Sequence, residues 1–145
     1  MRPALVLLAL AAVALGAGEW VAIDGIKTTY QIKSPAKDEG ADLVKQGVMA
    51  TVHAKGTVKQ TGKAFWNTRD TNEPFTYKAG VGGVIKGWDQ GLLGAKVGEV
   101  RSLDIPADEG YGERGFPAWG IPPGGGLVFE IEVLSVRKES NHELL

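Results

Sequence analysis

The chain has no cysteine and only two histidines in 145 residues. The first absence removes disulfides, thiol nucleophiles and cysteine-ligated zinc together. His53 and His142 have no ligand partner or nucleophile at a suggestive spacing, so neither points to a metal site or a catalytic triad. An excess of one charge is also missing. Sixteen Lys and Arg against 17 Asp and Glu leave a formal net charge of -1, which implies no basic surface for nucleic acid or anionic lipid. No Asn-x-Ser/Thr acceptor occurs, and no apolar run reaches the ~20 residues that a spanning helix needs. The run AGVGGVIKGW is glycine-rich but lacks the Lys-Ser/Thr ending of a phosphate loop, and Asp104, Asp108 and Glu109 fit no calcium-loop spacing. Neither a metal nor a cofactor is expected.

What is present is an ordinary globular composition, 43% apolar and 23% charged, on a chain about one domain long. The first residues place Arg2 ahead of an Ala, Leu and Val run from Ala4 to Leu15, followed by Gly16, Ala17 and Gly18. That order predicts a signal peptide over residues 1–18 and hence the secretory pathway, with the protein either in the endoplasmic reticulum lumen or secreted and free of membrane once the leader is cleaved. The domain is expected over residues 19–137 and a polar tail over 138–145. The ending NHELL is similar to a luminal retention tail displaced by one Leu.

Alternation marks the strands. From Gly47 to Lys59, Val48, Ala50, Val52 and Ala54 share one face and Met49, Thr51, His53 and Lys55 the other. A turn over Lys59–Lys63 leads to Ala64, Phe65 and Trp66, which predicts a hairpin. Phe75 and Tyr77 should share a face, as should Leu103 and Ile105. Leu127, Phe129, Ile131 and Val133 alternate with Glu130 and Glu132. Between Val84 and Leu93 the period changes: Ile85, Trp88 and Leu92 follow helical spacing and Gly94 offers a stop, so one short helix is expected. Strands around one helix give an α+β domain.

Two features bear on function. Residues 107–126 are rich in Gly and Pro yet hold Tyr111, Phe116, Trp119 and Ile121, and a loop of that length in a small domain usually carries function. Aromatic residues also recur along the rest of the domain, at Phe65, Trp66, Phe75, Tyr77, Trp88 and Phe129. They could be the core of a small barrel, and Tyr77 is read that way. A glycine-rich loop seldom supplies core aromatics, so a cleft for an apolar ligand such as a proline ring is the alternative.

The run from Val84 to Val136, with Val-Ile-x-Gly-Trp, Gly-Tyr-Gly, Ile-Pro-Pro and Leu-Val-Phe in that order, closely resembles the second half of FKBP-type peptidyl-prolyl isomerases. VHAKGTV and KAFWNTRDTNEPFTY resemble the first hairpin of the family and the segment after it. The resemblance spans about Gly47 to Val136, with Ile26 to Ile32 as a weak first strand. It implies an FKBP-like fold, a twisted antiparallel sheet wrapped around one short helix, with a cleft for proline-containing polypeptide segments between them. Trp88 would be the floor under the proline ring, and Phe65, Phe75, Val84, Tyr111 and Phe129 the walls. The Ile85 N–H and the Tyr111 hydroxyl would donate to the ligand, and Phe116, Trp119 and Ile121 would form a flap over the residue before the proline. Rapamycin-like macrolides are implied as ligands, and a monomer as the working form.

The chain departs from the family at positions that usually carry a Tyr, an Asp and an Arg, here Ala54, Trp66 and Thr71. That removes a polar network from the cleft. The Trp66 ring is expected to fill the volume vacated at Ala54 and to line the site. Two readings follow: an isomerase with activity reduced by the departures, or a non-catalytic module or chaperone that holds proline segments in the same cleft. A carbohydrate-binding sandwich would need planar Trp residues exposed on a flat sheet, against which the Ile-Pro-Pro flap argues.

Overall fold

The computed structural model describes residues 18–138. The expected leader, apart from Gly18, and the NHELL tail lie outside the described residues. Seven strands form one antiparallel sheet: β1 (Trp20–Ala22), β2 (Thr29–Ser34), β3 (Val48–Val58), β4 (Ala64–Asn67), β5 (Phe75–Lys78), β6 (Val100–Ile105) and β7 (Leu127–Lys138). Their order across the sheet is β1-β2-β6-β7-β3-β4, and β5 pairs with β3 beside β4. β4 and β5 are thus two halves of one edge, both laid along β3 and separated by a single helical turn, α1 (Thr68–Thr71). A second helix, α2 (Lys86–Gly91), lies against β6.

The central pair is β3 with β7, and the alternation seen in the sequence sets which face each residue takes. Ala50, Val52, Ala54 and Val58 of β3 are buried, as are Leu127, Phe129, Ile131 and Val133 of β7, while Glu130 between them is exposed. A one-residue slip would turn all of these apolar side chains to water, so the register is strongly specified. Burying each costs the chain entropy but returns ~1.5–3 kcal/mol for a large apolar side chain.

α2 has the sequence KGWDQG, a poor helix by intrinsic preference because Gly costs ~1 kcal/mol against Ala. Packing explains it. A Cβ built at Gly87 would lie 2.6 Å from Ile105, and one at Gly91 would lie 2.9 Å from Leu103. The two glycines sit one turn apart and let the helix backbone lie directly on β6. The helix is shorter than the expected Val84–Leu93. Ile85 is extended (φ -56°, ψ 148°), and the chain leaves the helix at Leu92 and turns at Gly94 with φ 89°.

Two charged side chains tie the helix to its surroundings. Asp89 is buried and accepts the Gly80 and Gly82 N–H groups at 2.8 Å each, which pins the preceding loop to it. At the other end Arg101 donates to the Gly91 and Leu93 carbonyls at 3.1 and 3.3 Å and pairs with Glu99 at 2.6 Å. Its guanidinium lies 4.0 Å from the centre of the Tyr30 ring. A buried charge is tolerated only when paired and hydrogen-bonded in this way.

The long loop 107–126 is more ordered than its composition suggests. It winds through three short 3-10 turns, Ala107–Glu109, Gly112–Arg114 and Pro117–Trp119, and closes on itself where the Phe116 and Ile121 backbones exchange hydrogen bonds at 2.9 and 3.2 Å. His53, expected on a wet face, is half-buried, with Nδ1 2.8 Å from the Thr68 hydroxyl.

Candidate active site

A cavity of about 380 Å³ opens between the sheet and α2. β4 contributes Phe65 and Trp66, β5 contributes Phe75, and α2 contributes Trp88. Val84 and Ile85 line it from the segment before α2, Tyr111 and Trp119 from the loop, and Phe129 from β7. The ring walls are mutually supporting. Trp88 meets Phe129 edge-on at 5.0 Å, Phe75 edge-on at 5.8 Å and Trp66 at 5.9 Å between ring centres. Aromatic pairs in such offset and edge-to-face geometries contribute ~0.5–1.5 kcal/mol beyond their burial.

Adjacent strand residues normally face opposite sides, yet Phe65 and Trp66 both reach this cavity. A bulge is the reason. Gly56 pairs with Trp66 and Thr57 with Ala64, which leaves Phe65 as the extra residue on β4. Gly56 makes the arrangement possible, because a Cβ there would come within 2.5 Å of the Phe65 ring and 2.7 Å of the Phe129 ring. Bulges of this kind re-aim side chains near binding sites.

The loop residues divide. Trp119 stacks on Phe65 at 6.0 Å and is 44% exposed, so it forms one rim of the opening. Phe116 does not line the cavity. It packs on Tyr111 at 5.5 Å and on Trp119 at 4.7 Å, behind the rim. Ile121 is buried, at 1% exposure, and also lies outside the cavity lining. Its apolar side chain anchors the loop to the core, whereas the resemblance places it in the flap. Tyr77, read from the sequence as core, is buried beneath the floor with its ring 5.8 Å from Trp88.

Charge is scarce in this setting. Among the lining residues the one titratable side chain is the Tyr111 phenol, and its partial burial pushes its pKa up, so it stays a hydroxyl donor at neutral pH. Burial pushes the Tyr77 phenol up strongly, with a smaller opposing pull from the nearby Trp88 indole. The Tyr77 hydroxyl and the Trp88 Nε1 are nonetheless both buried without a hydrogen-bond partner among the described residues, since the two groups do not meet hydrogen-bond geometry. No group of three or more metal-ligating side chains occurs among the described residues.

The sequence model of the FKBP-type peptidyl-prolyl cis-trans isomerase family matches residues 40–134. The chain belongs to that family. It is 49% identical over 94 residues to the peptidyl-prolyl cis-trans isomerase FKBP12 of Arabidopsis thaliana, covering 63% of this chain and 84% of that one. It is 40% identical over 120 residues to FK506-binding protein 2 of Emericella nidulans, covering 83% of each. The crystal structure of FkpA from Escherichia coli superposes with a TM-score of 0.70 at 32% identity, over 90% of this chain and 57% of that chain. The chain is thus an FKBP-type prolyl isomerase with an FKBP-like fold, and proline-containing segments are the substrates of its family.

Reasoning from the sequence missed three parts of this isomerase's site. Gly56 and the bulge it permits leave no local signature, and Asp89 reads as an ordinary helix charge. Glu109, two residues before Tyr111, reads as a solvated loop acid but is buried.

Proposed function

We propose that this isomerase accelerates rotation about X-Pro bonds in proteins of the secretory pathway, with the proline ring resting on Trp88 and enclosed by Phe65, Phe75, Val84 and Phe129. The observation that carries the reading is the cavity itself, floored by an indole and walled by rings, with one hydroxyl donor and no acid or base. Rotation about an X-Pro bond breaks amide resonance and breaks no covalent bond; the barrier is ~18–20 kcal/mol. At the twisted transition state the carbonyl loses resonance charge and is easier to strip of water. A dry cleft that grips the twisted form at both ends therefore binds it better than the planar ground state, which is the requirement for catalysis. Each ~1.4 kcal/mol of that preference gives tenfold in rate.

The Ile85 N–H and the Tyr111 hydroxyl act as the two donors, and Trp66 and Trp119 complete the apolar rim. Support for Ile85 comes from its extended backbone, which places its amide ahead of the helical hydrogen-bond ladder. The working form is taken to be a monomer. Rapamycin-like macrolides enter the same cavity. The secretory assignment rests on the Ala4–Leu15 run and the small residues after it.

The test is a protease-coupled prolyl peptide assay on the purified protein and on Trp88→Ala. The variant is expected to lose turnover and peptide affinity together, and rapamycin to inhibit the parent protein. Unchanged turnover in Trp88→Ala would overturn the site. Fusion of residues 1–18 to a reporter tests the compartment, and a cytosolic reporter would overturn that part alone.

A further inference from the structure

Glu109 is a buried acid in a loop, 6% exposed, and its carboxylate is fully employed. It accepts the Lys27 N–H at 2.8 Å, the Thr28 N–H at 2.8 Å and the Thr28 hydroxyl at 2.7 Å. Thr28 is completely buried and also touches α2: a Cβ built at Gly87 would lie 2.6 Å from its Oγ1, and one at Gly91 would lie 3.5 Å from its Cγ2. One threonine is therefore gripped from one side by the loop and from the other by the helix that carries Trp88. On the loop side only Gly110 separates Glu109 from Tyr111. That short link has little freedom, because the Glu109 and Gly110 N–H groups close a 3-10 turn onto Pro106 and Ala107 at 3.0 and 2.9 Å, and a Cβ built at Gly110 would lie 3.3 Å from Leu127 and 3.6 Å from Ile105.

We propose that Glu109 is a positioning residue, which through Thr28 fixes the Tyr111 hydroxyl relative to Trp88 and so sets the reach between the donor and the floor of the cleft. The inference rests on the assignment of Tyr111 as a substrate donor. The carboxylate matters by its shape as well as its charge. Its two oxygens take donors from two successive residues, an arrangement that a carboxamide cannot reproduce because its NH2 would oppose one backbone N–H. A displacement of about 1 Å at a positioned group can cost on the order of a hundredfold in rate, so a latch remote from the chemistry controls it through position.

A double-mutant cycle separates this role from simple stabilisation. Turnover and KM are measured for the parent, Glu109→Gln, Tyr111→Phe and the double variant, at a temperature where circular dichroism shows each one fully folded. Glu109→Gln is expected to lower kcat/KM about tenfold, and to have no further effect once the Tyr111 hydroxyl is gone. Parent-like turnover in Glu109→Gln, or losses that multiply in the double variant, would overturn the positioning role. If Glu109→Gln does not fold, Thr28→Val, which removes only the hydroxyl bond, takes its place in the same cycle. Trp88→Ala tells the two failures apart. If Trp88→Ala loses turnover while the cycle is multiplicative, the site stands and the latch falls; if Trp88→Ala keeps turnover, the site itself falls.

Discussion

Phe65 and Trp66 are neighbours in the chain and neighbours in the cavity wall, an arrangement that regular strand geometry forbids and that the bulge opposite Gly56 allows. The missing side chain at Gly56 is the space in which the Phe65 and Phe129 rings meet at 5.7 Å. Gly56→Ala is expected to push both rings aside, since a methyl would lie within 2.7 Å of each. Overpacking of this kind costs ~1–3 kcal/mol. Thermal unfolding should show the loss, and peptide turnover should fall with it. A Gly56→Ala protein with parent melting temperature and parent turnover would mean that the rings have room to spare.

Trp66 lies diagonally across the β3–β4 pair from Ala54. Ala54 is fully buried on β3, two residues along the same face from Gly56, the partner of Trp66, so the two side chains are diagonal neighbours within reach of an indole. Its backbone is held on both sides by the Thr68 hydroxyl, at 2.8 Å from the N–H and 3.3 Å to the carbonyl, so the strand cannot shift to admit a larger residue. Ala54→Tyr alone should be destabilising by overpacking, and Trp66→Asp alone by placing a carboxylate among rings. Together they should cost less than the sum, by ~0.5–3 kcal/mol. Denaturant unfolding of the four proteins measures this, and strict additivity would separate the two positions.

Glu109 gives the domain an acid-sensitive joint. Its burial by itself favours the neutral acid, but the bonds from Thr28 and Lys27 to the carboxylate outweigh it, and its pKa falls below the ordinary 4.5. A group with a lowered folded pKa stabilises the fold above its unfolded value. That contribution is lost as pH falls through the folded value. Stability should therefore decline with acidification below about pH 4.5 more steeply in the parent than in Glu109→Gln. Urea midpoints across that range read the difference. Equal slopes in the two proteins would show that the pKa of the latch carboxylate does not change on folding, so that its bonds to Lys27 and Thr28 do not favour the ionised form.

Which parts of this architecture were legible in the chain follows from which forces act locally. β3 and β7 could be read because one face is buried along their whole length, so the apolar residues recur every second position. Trp88 and the walls were named from the resemblance, and one cavity brings Phe65, Phe75, Val84, Trp88, Tyr111 and Phe129 together. The failures are non-local. Ile121, which the resemblance places in the flap, has its side chain buried in the core. The surroundings of α2 are fixed by Asp89 bonding backward to Gly80 and Gly82 and by Arg101 reaching from β6 to the carbonyls at its C-terminal end. The Glu109 latch joins residues 81 positions apart, a pairing no window of sequence contains.

The loop that carries Tyr111 and Trp119 depends on one glycine more than on the others. Gly115 has φ 64° and ψ -154°, a region that residues with a Cβ essentially do not enter, and a Cβ there would lie 2.4 Å from the Ile121 carbonyl oxygen and 2.5 Å from that of Pro122. Those atoms are backbone and cannot swing away. Gly120 provides the control: its φ of 73° is also left-handed, but a Cβ there meets nothing within 4 Å. Gly120→Ala should cost ~1–2 kcal/mol of backbone strain and leave the loop in place. Gly115→Ala should in addition prise apart the Phe116–Ile121 closure and lift Trp119 from Phe65, with kcat/KM falling tenfold or more on the scale of about 1.4 kcal/mol per decade. Peptide turnover and the exposure of the Trp119 indole to a fluorescence quencher report the two effects separately. Damage from Gly115→Ala no greater than that from Gly120→Ala would mean that the collision with the carbonyls of residues 121 and 122 does not govern the loop.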